Sequence, residues 1–144
     1  MTDRDHPPDL EDLLPHRGSM LLIDDILTVD RNHAVSQTRV SDQWPGYDGS
    51  AVSPLLIIEL VAQTSGLSNG LDRMMTEGPA ADKRGWIVGI KEARFSADRL
   101  IPGTLIITEA SNSFKFEGFR EIRGASRIGT RVVGEVVLQV MRSE

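Results

Sequence analysis

Six stretches of the chain carry β-rich apolar or alternating patterns, and one long stretch between them follows a helical period. Met20–Val29 and Ala34–Val40 predict two strands joined by a turn at Asp30-Arg31-Asn32. Ser41 to Ser53 holds Pro45, Gly46 and Gly49 and reads as a loop. Ser53 to Met75 then predicts a helix, with Ser53 as N-cap, Pro54 at the first helical position and Gly78-Pro79 as the stop. Such a helix spans about 33 Å, the width of a small domain. A loop from Glu77 to Lys83 ends the helical period. Trp86–Ser96, Leu105–Phe116, Phe119–Ser126 and Arg131–Arg142 are four further strands, separated by Pro102-Gly103, Glu117-Gly118 and Ile128-Gly129-Thr130. The short connections imply mostly antiparallel pairing, and the sum is α+β: one helix against a strongly curved sheet. An open edge in such a sheet is a pairing site, which implies a homodimer and allows an oligomer of dimers.

Within the helix every residue from Leu55 to Ala62 is apolar except Glu59, so its first half is expected to be buried all round. Gln63 follows Glu59 by one turn on the same face. A buried carboxylate costs several kcal/mol unless it is paired or hydrogen-bonded. Either its surroundings satisfy Glu59 structurally or it is kept for chemistry. Ala62, Gly66 and Gly70 recur every fourth residue and let a sheet or second helix approach closely.

Composition narrows the classes. The 144 residues suggest one domain, here a polar leader over residues 1–12 and a folded domain over 13–144. The absence of cysteine excludes disulfides, thiolate metal sites and a cysteine nucleophile. No secretory signal and no membrane span is visible, so the expected address is cytoplasmic. A net charge of −5 argues against a nucleic-acid partner. The charge is unevenly spread: residues 1–30 carry eight acids against Arg4 and Arg17, whereas residues 83–131 carry ten Lys or Arg against five acids. That second region reads as solvated strand faces or as a docking patch for an acidic partner.

Three blocks resemble a known family. Leu14-Pro15-His16-Arg17 followed by Met20-Leu21-Leu22-Ile23-Asp24 looks like its LPHR…LLxD opening. Leu56-Ile57-Ile58-Glu59-Leu60-Val61-Ala62-Gln63 looks like the start of its central helix. Gly89-Ile90-Lys91-Glu92-Ala93-Arg94-Phe95, then Ile101-Pro102-Gly103-Thr104-Leu105, looks like its GIxxARF…VxPGDxL strand pair. In order and spacing these resemble the 3-hydroxyacyl-acyl-carrier-protein dehydratases, which implies a single hotdog domain, an antiparallel sheet wrapped around one long helix.

In that family a His in an HFPG loop removes the α-proton of an acyl thioester, and a Glu on the partner's central helix helps to expel the β-hydroxyl. Backbone N–H groups near that helix start polarise the carbonyl. The resemblance carries over Glu59 as catalytic and Gln63 as the residue orienting it. It does not carry over the His, because the loop reads Gln43-Trp44-Pro45-Gly46 and an amide has no basic lone pair. Asp42, Tyr47 or Asp48 could fill that role, a carboxylate only with a raised pKa. His16 corresponds to a structural residue in the relatives, and His6 and His33 read as leader and turn. Trp44, Pro45, Gly46, Ser53, Pro54 and Leu55 are the implied substrate-binding positions. Lys83, Arg84, Arg94 and Arg99 are the candidates for contact with acyl-carrier protein or coenzyme A. No metal and no cofactor is implied. The leading reading is dehydration of a 3-hydroxyacyl thioester. A thioesterase using Glu59 comes next, then a non-catalytic acyl-thioester binder or partner subunit of a heteromeric dehydratase.

Overall fold

The structure, a computed structural model, describes residues 9–143. The expected leader therefore lies largely outside the described residues, His6 included. A short helix α1 (Leu10–Leu13) crosses the expected boundary between leader and domain. The sheet has strands β1 (Asp25–Val29), β2 (His33–Arg39), β3 (Gly85–Phe95), β4 (Leu105–Phe116), β5 (Phe119–Ile128) and β6 (Arg131–Arg142). Their order is β1-β2-β4-β5-β6-β3, and every neighbouring pair is antiparallel. The long helix α2 (Leu56–Glu77) lies across β2, β4, β5 and β6. This is a hotdog fold.

Burial follows the period that predicts it. Ile57, Leu60 and Val61 of α2 are fully buried against Ile106, Ile122 and Leu138 of the inner sheet face, and Leu67 is fully buried against Leu13, Leu14, Ile23 and Ala34. Each such side chain contributes about 1.5–3 kcal/mol on leaving water. The sheet accommodates the helix through Gly124, where a Cβ would stand 2.4 Å from Val61 Cγ1. Of the two neighbours expected for the small-residue stripe on α2, a sheet or a second helix, it is the second helix that meets it. A Cβ on Gly70 would meet the Leu13 carbonyl oxygen at 2.1 Å, and one on Gly66 would meet Leu14 Cδ2 at 2.7 Å. The end of α1 and the segment after it occupy that face.

Element boundaries shift where side chains replace backbone partners. The strand expected from Met20 starts only at Asp25, after a 3₁₀ turn at Gly18–Met20. Leu22 leaves the ladder because its N–H goes to Gln63 Oε1 at 3.0 Å and its carbonyl accepts from Thr38 Oγ1 at 3.3 Å. Regular α2 begins at Leu56 rather than Pro54, although Ser53 Oγ does accept from the Leu55 N–H at 3.2 Å. It runs on to Glu77, where Gly78 stops it at φ +94°. β5 reaches Ile128, two residues beyond the expected Ser126.

Candidate active site

Gln63 organises the site. Its side chain is fully buried, accepts from Leu22 N–H, donates to the Met20 carbonyl at 2.8 Å and donates to Glu59 Oε1 at 2.9 Å. One amide therefore ties the segment before β1 to α2 and holds Glu59. Arg17 fixes the same segment from outside, donating to the carbonyls of Leu14 at 2.6 Å, His16 at 2.8 Å and Glu11 at 3.0 Å. Because Gly66 and Gly70 let this segment lie so close to α2, His16 ends directly over Glu59. The His16 Nε2 stands 3.5 Å from Glu59 Oε1. His16, to which the resemblance gives a structural role, thus lies beside the candidate carboxylate. Spacing could not reveal this, since 43 residues separate the two.

Burial pushes the Glu59 carboxyl up, but the hydrogen bonds of His16 and Gln63 and the His16 charge outweigh it and hold the group below the ordinary Glu range. Glu59 is therefore ionised at neutral pH. Both His16 and Gln63 address Oε1, and Oε2 has no hydrogen-bond partner among the described residues. His16 Nδ1 is buried and likewise without a partner among them. Glu59 and His16 line one end of a cavity of about 520 Å³ between α2, the Leu14–His16 segment and the ends of β3, β5 and β6.

The other predicted positions divide. Lys83 and Arg84 line the same cavity. Arg94 stands exposed on β3, paired with Glu92, and Arg99 donates to Ser50 Oγ. Neither lines the cavity. Trp44 is not a cavity residue either: it is 8% exposed and packs into the core with Leu22, Val40, Val52 and Ile57, where a large aromatic gains most from burial. Gln43 is exposed, and its amide donates to Asp42 Oδ1 at 3.1 Å. Pro45 and Gly46 form the exposed turn after Trp44, with Gly46 at φ +79°. Within one chain, the loop lies apart from the cavity that holds Glu59.

Two further expectations are corrected. Asp48 does not have the raised pKa an acid needs. The backbone N–H groups of Ala51 and Ser50, the Ser50 hydroxyl and the Arg99 charge hold it below its ordinary value. The N–H groups at the start of α2 are not open donors either. Leu56, Ile57 and Ile58 give theirs to the carbonyls of Ser53, Pro54 and Leu55 at 3.0–3.1 Å, while Leu55 itself stays 60% exposed.

Comparisons with known proteins agree with this fold. A hypothetical thioesterase of Streptococcus pneumoniae, solved as a mutant, shares the fold at a TM-score of 0.60 and 15% identity, covering 81% of this chain and 87% of that one. The dehydratase heterocomplex ApeI:P from Xenorhabdus doucetiae matches with a TM-score of 0.85 at 20% identity, over 96% of this chain and 93% of that one. The 3-hydroxyacyl-[acyl-carrier-protein] dehydratase FabZ of Acidovorax sp. (strain JS42) is 33% identical over 91% of this chain and 93% of its own length. The family model of the ApeP-like proteins, described as ApeP dehydratase, matches residues 8–144, and the chain belongs to that family of hotdog dehydratases.

Proposed function

We propose that the protein dehydrates a 3-hydroxyacyl thioester, with Glu59 carrying the proton. The observation behind this reading is an ionised carboxylate at the end of a cavity, oriented through one oxygen, with no hydrogen-bond partner at the other among the described residues. Glu59 Oε2 takes the proton from Cα, the C–H electrons form the double bond, and the C–O bond to the β-hydroxyl breaks. The same proton passes to the departing oxygen, so that water leaves and the carboxylate returns to its starting state. His16 and Gln63 hold Oε1 and keep the other oxygen facing its task. The apolar wall of Ala62, Ile87 and Val140 receives one arm of the thioester, its acyl chain or its carrier arm.

The substrate thioester is carried on an acyl-carrier protein or on coenzyme A, in keeping with what the FabZ relatives are named for. Assembly is read as a homodimer through β3, which has a free edge and exposes Trp86, Ile87, Val88 and Ile90. Among the described residues no helix is long and apolar enough to cross a membrane.

A second reading rests on Gln43. With no histidine in that loop, the chain could serve as one half of a heteromeric dehydratase, as the name of the ApeI:P heterocomplex illustrates for its own subunits. Incubating the purified protein with a 3-hydroxyacyl thioester and reading products by mass spectrometry separates these. Enoyl product from the chain alone supports the first reading. Free acid without enoyl product makes it a thioesterase. Activity that appears only with a His-bearing hotdog subunit supports the second.

A further inference from the structure

The cavity is electrically lopsided. Glu59 is the carboxylate in its lining, whereas Arg73, Lys83, Arg84, Arg120 and Arg142 are cations. They occupy opposite ends: Arg73 follows Glu59 by 14 residues along α2. That separation is about 21 Å and about four turns, so both side chains share one helix face.

Most of these cations are already answered. Asp82 holds Arg84 at 2.8 Å, Glu77 holds Arg142 at 2.9 Å, and Lys83 donates to the carbonyls of Pro79 and Ala81. Arg73 and Arg120 differ. Arg73 donates to the backbone carbonyls of Asp82 and Arg84, and Arg120 to those of Glu117 and Phe119. Among the described residues neither has a carboxylate within ion-pair distance. Arg120 Nε is buried with no partner among them at all. Burial foremost, helped by the Arg142 charge, pulls both guanidinium groups below their ordinary pKa, against the charges of Glu77 and Asp82 at Arg73 and of Asp72 at Arg120. Half-buried guanidinium groups whose hydrogen bonds go only to neutral oxygens, with carboxylates acting on them from beyond contact, can gain charge-assisted bonds from an oxyanion.

We propose that Arg73 and Arg120, with Arg142 beside them, form an anion site for a phosphate or carboxylate at the far end of the ligand whose thioester lies at Glu59. Between the two ends the wall is apolar at Ala62, Ile87 and Val140, which suits an extended chain carrying a thioester at one end and an oxyanion at the other. The thioester end rests on the dehydratase reading. The anion end stands on the arginines alone.

Inorganic phosphate is the first probe, by calorimetric titration and thermal shift on the wild type, Arg73→Gln, Arg120→Gln and Arg120→Lys. Phosphate should stabilise the wild type, fail to stabilise the Gln variants and retain part of its effect on Arg120→Lys, which keeps the charge. The KM of each protein is then compared for a 3-hydroxyacyl-CoA, the same acyl group on N-acetylcysteamine, which lacks phosphate, and an N-acetylcysteamine thioester ending in a carboxylate. A KM rise of about 10- to 100-fold in the Gln variants, confined to the CoA thioester, assigns the site to a phosphate. The same rise confined to the carboxylate-ended chain assigns it to the acyl tail. Absence of phosphate binding in the wild type, or unchanged binding in both Gln variants, overturns the site. So does a change of oligomer mass without a change in phosphate binding, which would make the cluster a contact between copies. Phosphate binding that the variants lose, with no thioester turned over by any of them, keeps the site and rejects the dehydratase reading.

Discussion

His16 Nε2 stands 3.5 Å from Glu59 Oε1, across the seam between the segment preceding β1 and the first turns of α2. The pair forms because glycines on α2 admit the backbone of Leu13 and the side chain of Leu14, and it leaves the second carboxylate oxygen without a hydrogen-bond partner among the described residues. The first consequence concerns that oxygen. Glu59→Gln keeps the shape and removes the proton acceptor, so the dehydration rate should fall about 10²- to 10⁴-fold, the usual range for a lost acid–base group. Oligomer mass should not change, and the melting temperature at neutral pH should fall only by the modest stabilisation that ionised Glu59 supplies. A variant that retains the wild-type rate would leave Glu59 with a structural role only.

The second prediction is a pH profile. Burial raises the Glu59 pKa, and His16 and Gln63 together more than cancel that rise. The net depression means that Glu59 contributes stability present above its unfolded pKa and lost as pH falls through its folded one. The acid limb of kcat/KM should therefore lie below the ordinary Glu range in the wild type. Replacing His16 by Ala removes a hydrogen bond and a charge and leaves burial opposed by Gln63 alone. The limb should move to higher pH, and the stability gained between acid and neutral pH should shrink. An acid limb in the same place in both proteins would show that His16 does not act on Glu59.

Packing at the seam gives a third. Gly70→Ala would place a methyl 2.1 Å from the Leu13 carbonyl oxygen, a backbone atom that cannot rotate away. Gly66→Ala would meet the end of the Leu14 side chain at 2.7 Å, which can move. Overpacking costs about 1–3 kcal/mol, and Gly70→Ala belongs at the upper end with Gly66→Ala well below it. Thermal melts compare them directly. Gly70→Ala should also lower activity by lifting His16 from Glu59, and equal melting temperatures for the two variants would contradict the close approach.

How much of this was legible in the sequence depended on the range of each interaction. β4 and β6 could be read to the residue because alternation and turn chemistry are local. The N-terminal half of the first strand could not, since Gln63, 41 residues away, takes the Leu22 N–H that a ladder would otherwise use. Glu59 with Gln63 was visible as two polar residues one turn apart on an apolar helix. His16 was visible only as part of a motif, because its meeting with Glu59 is a product of tertiary packing. Trp44 shows the opposite limit: its motif neighbours suggest a substrate contact, while its size and apolar surface send it to the core. Arg73 and Arg120 carry no signature at all, since an unpaired arginine is defined by what fails to surround it.

The last prediction returns to Gln43. Its loop is anchored by Trp44 in the core, and its amide is held by Asp42 Oδ1 at 3.1 Å. In a Gln43→His variant the same carboxylate would accept one imidazole N–H, which fixes the tautomer and leaves the other ring nitrogen as a base near neutral pKa. If a second copy brings this loop to Glu59 across the β3 edge, the new base should add to the Glu59 relay and raise kcat at least about tenfold, given the usual range for such groups. The gain should vanish in the Gln43→His, Glu59→Gln double variant, because base and relay then no longer meet on one substrate. Mixing the double variant with the wild type gives the decisive control. Some mixed dimers then carry the new imidazole facing an intact Glu59 of the other subunit, and the gain should reappear in a fraction set by their population. A gain in the single variant that survives loss of Glu59 would place the imidazole at a separate site, and no gain at all would remove the 41–53 loop from the chemistry of this chain.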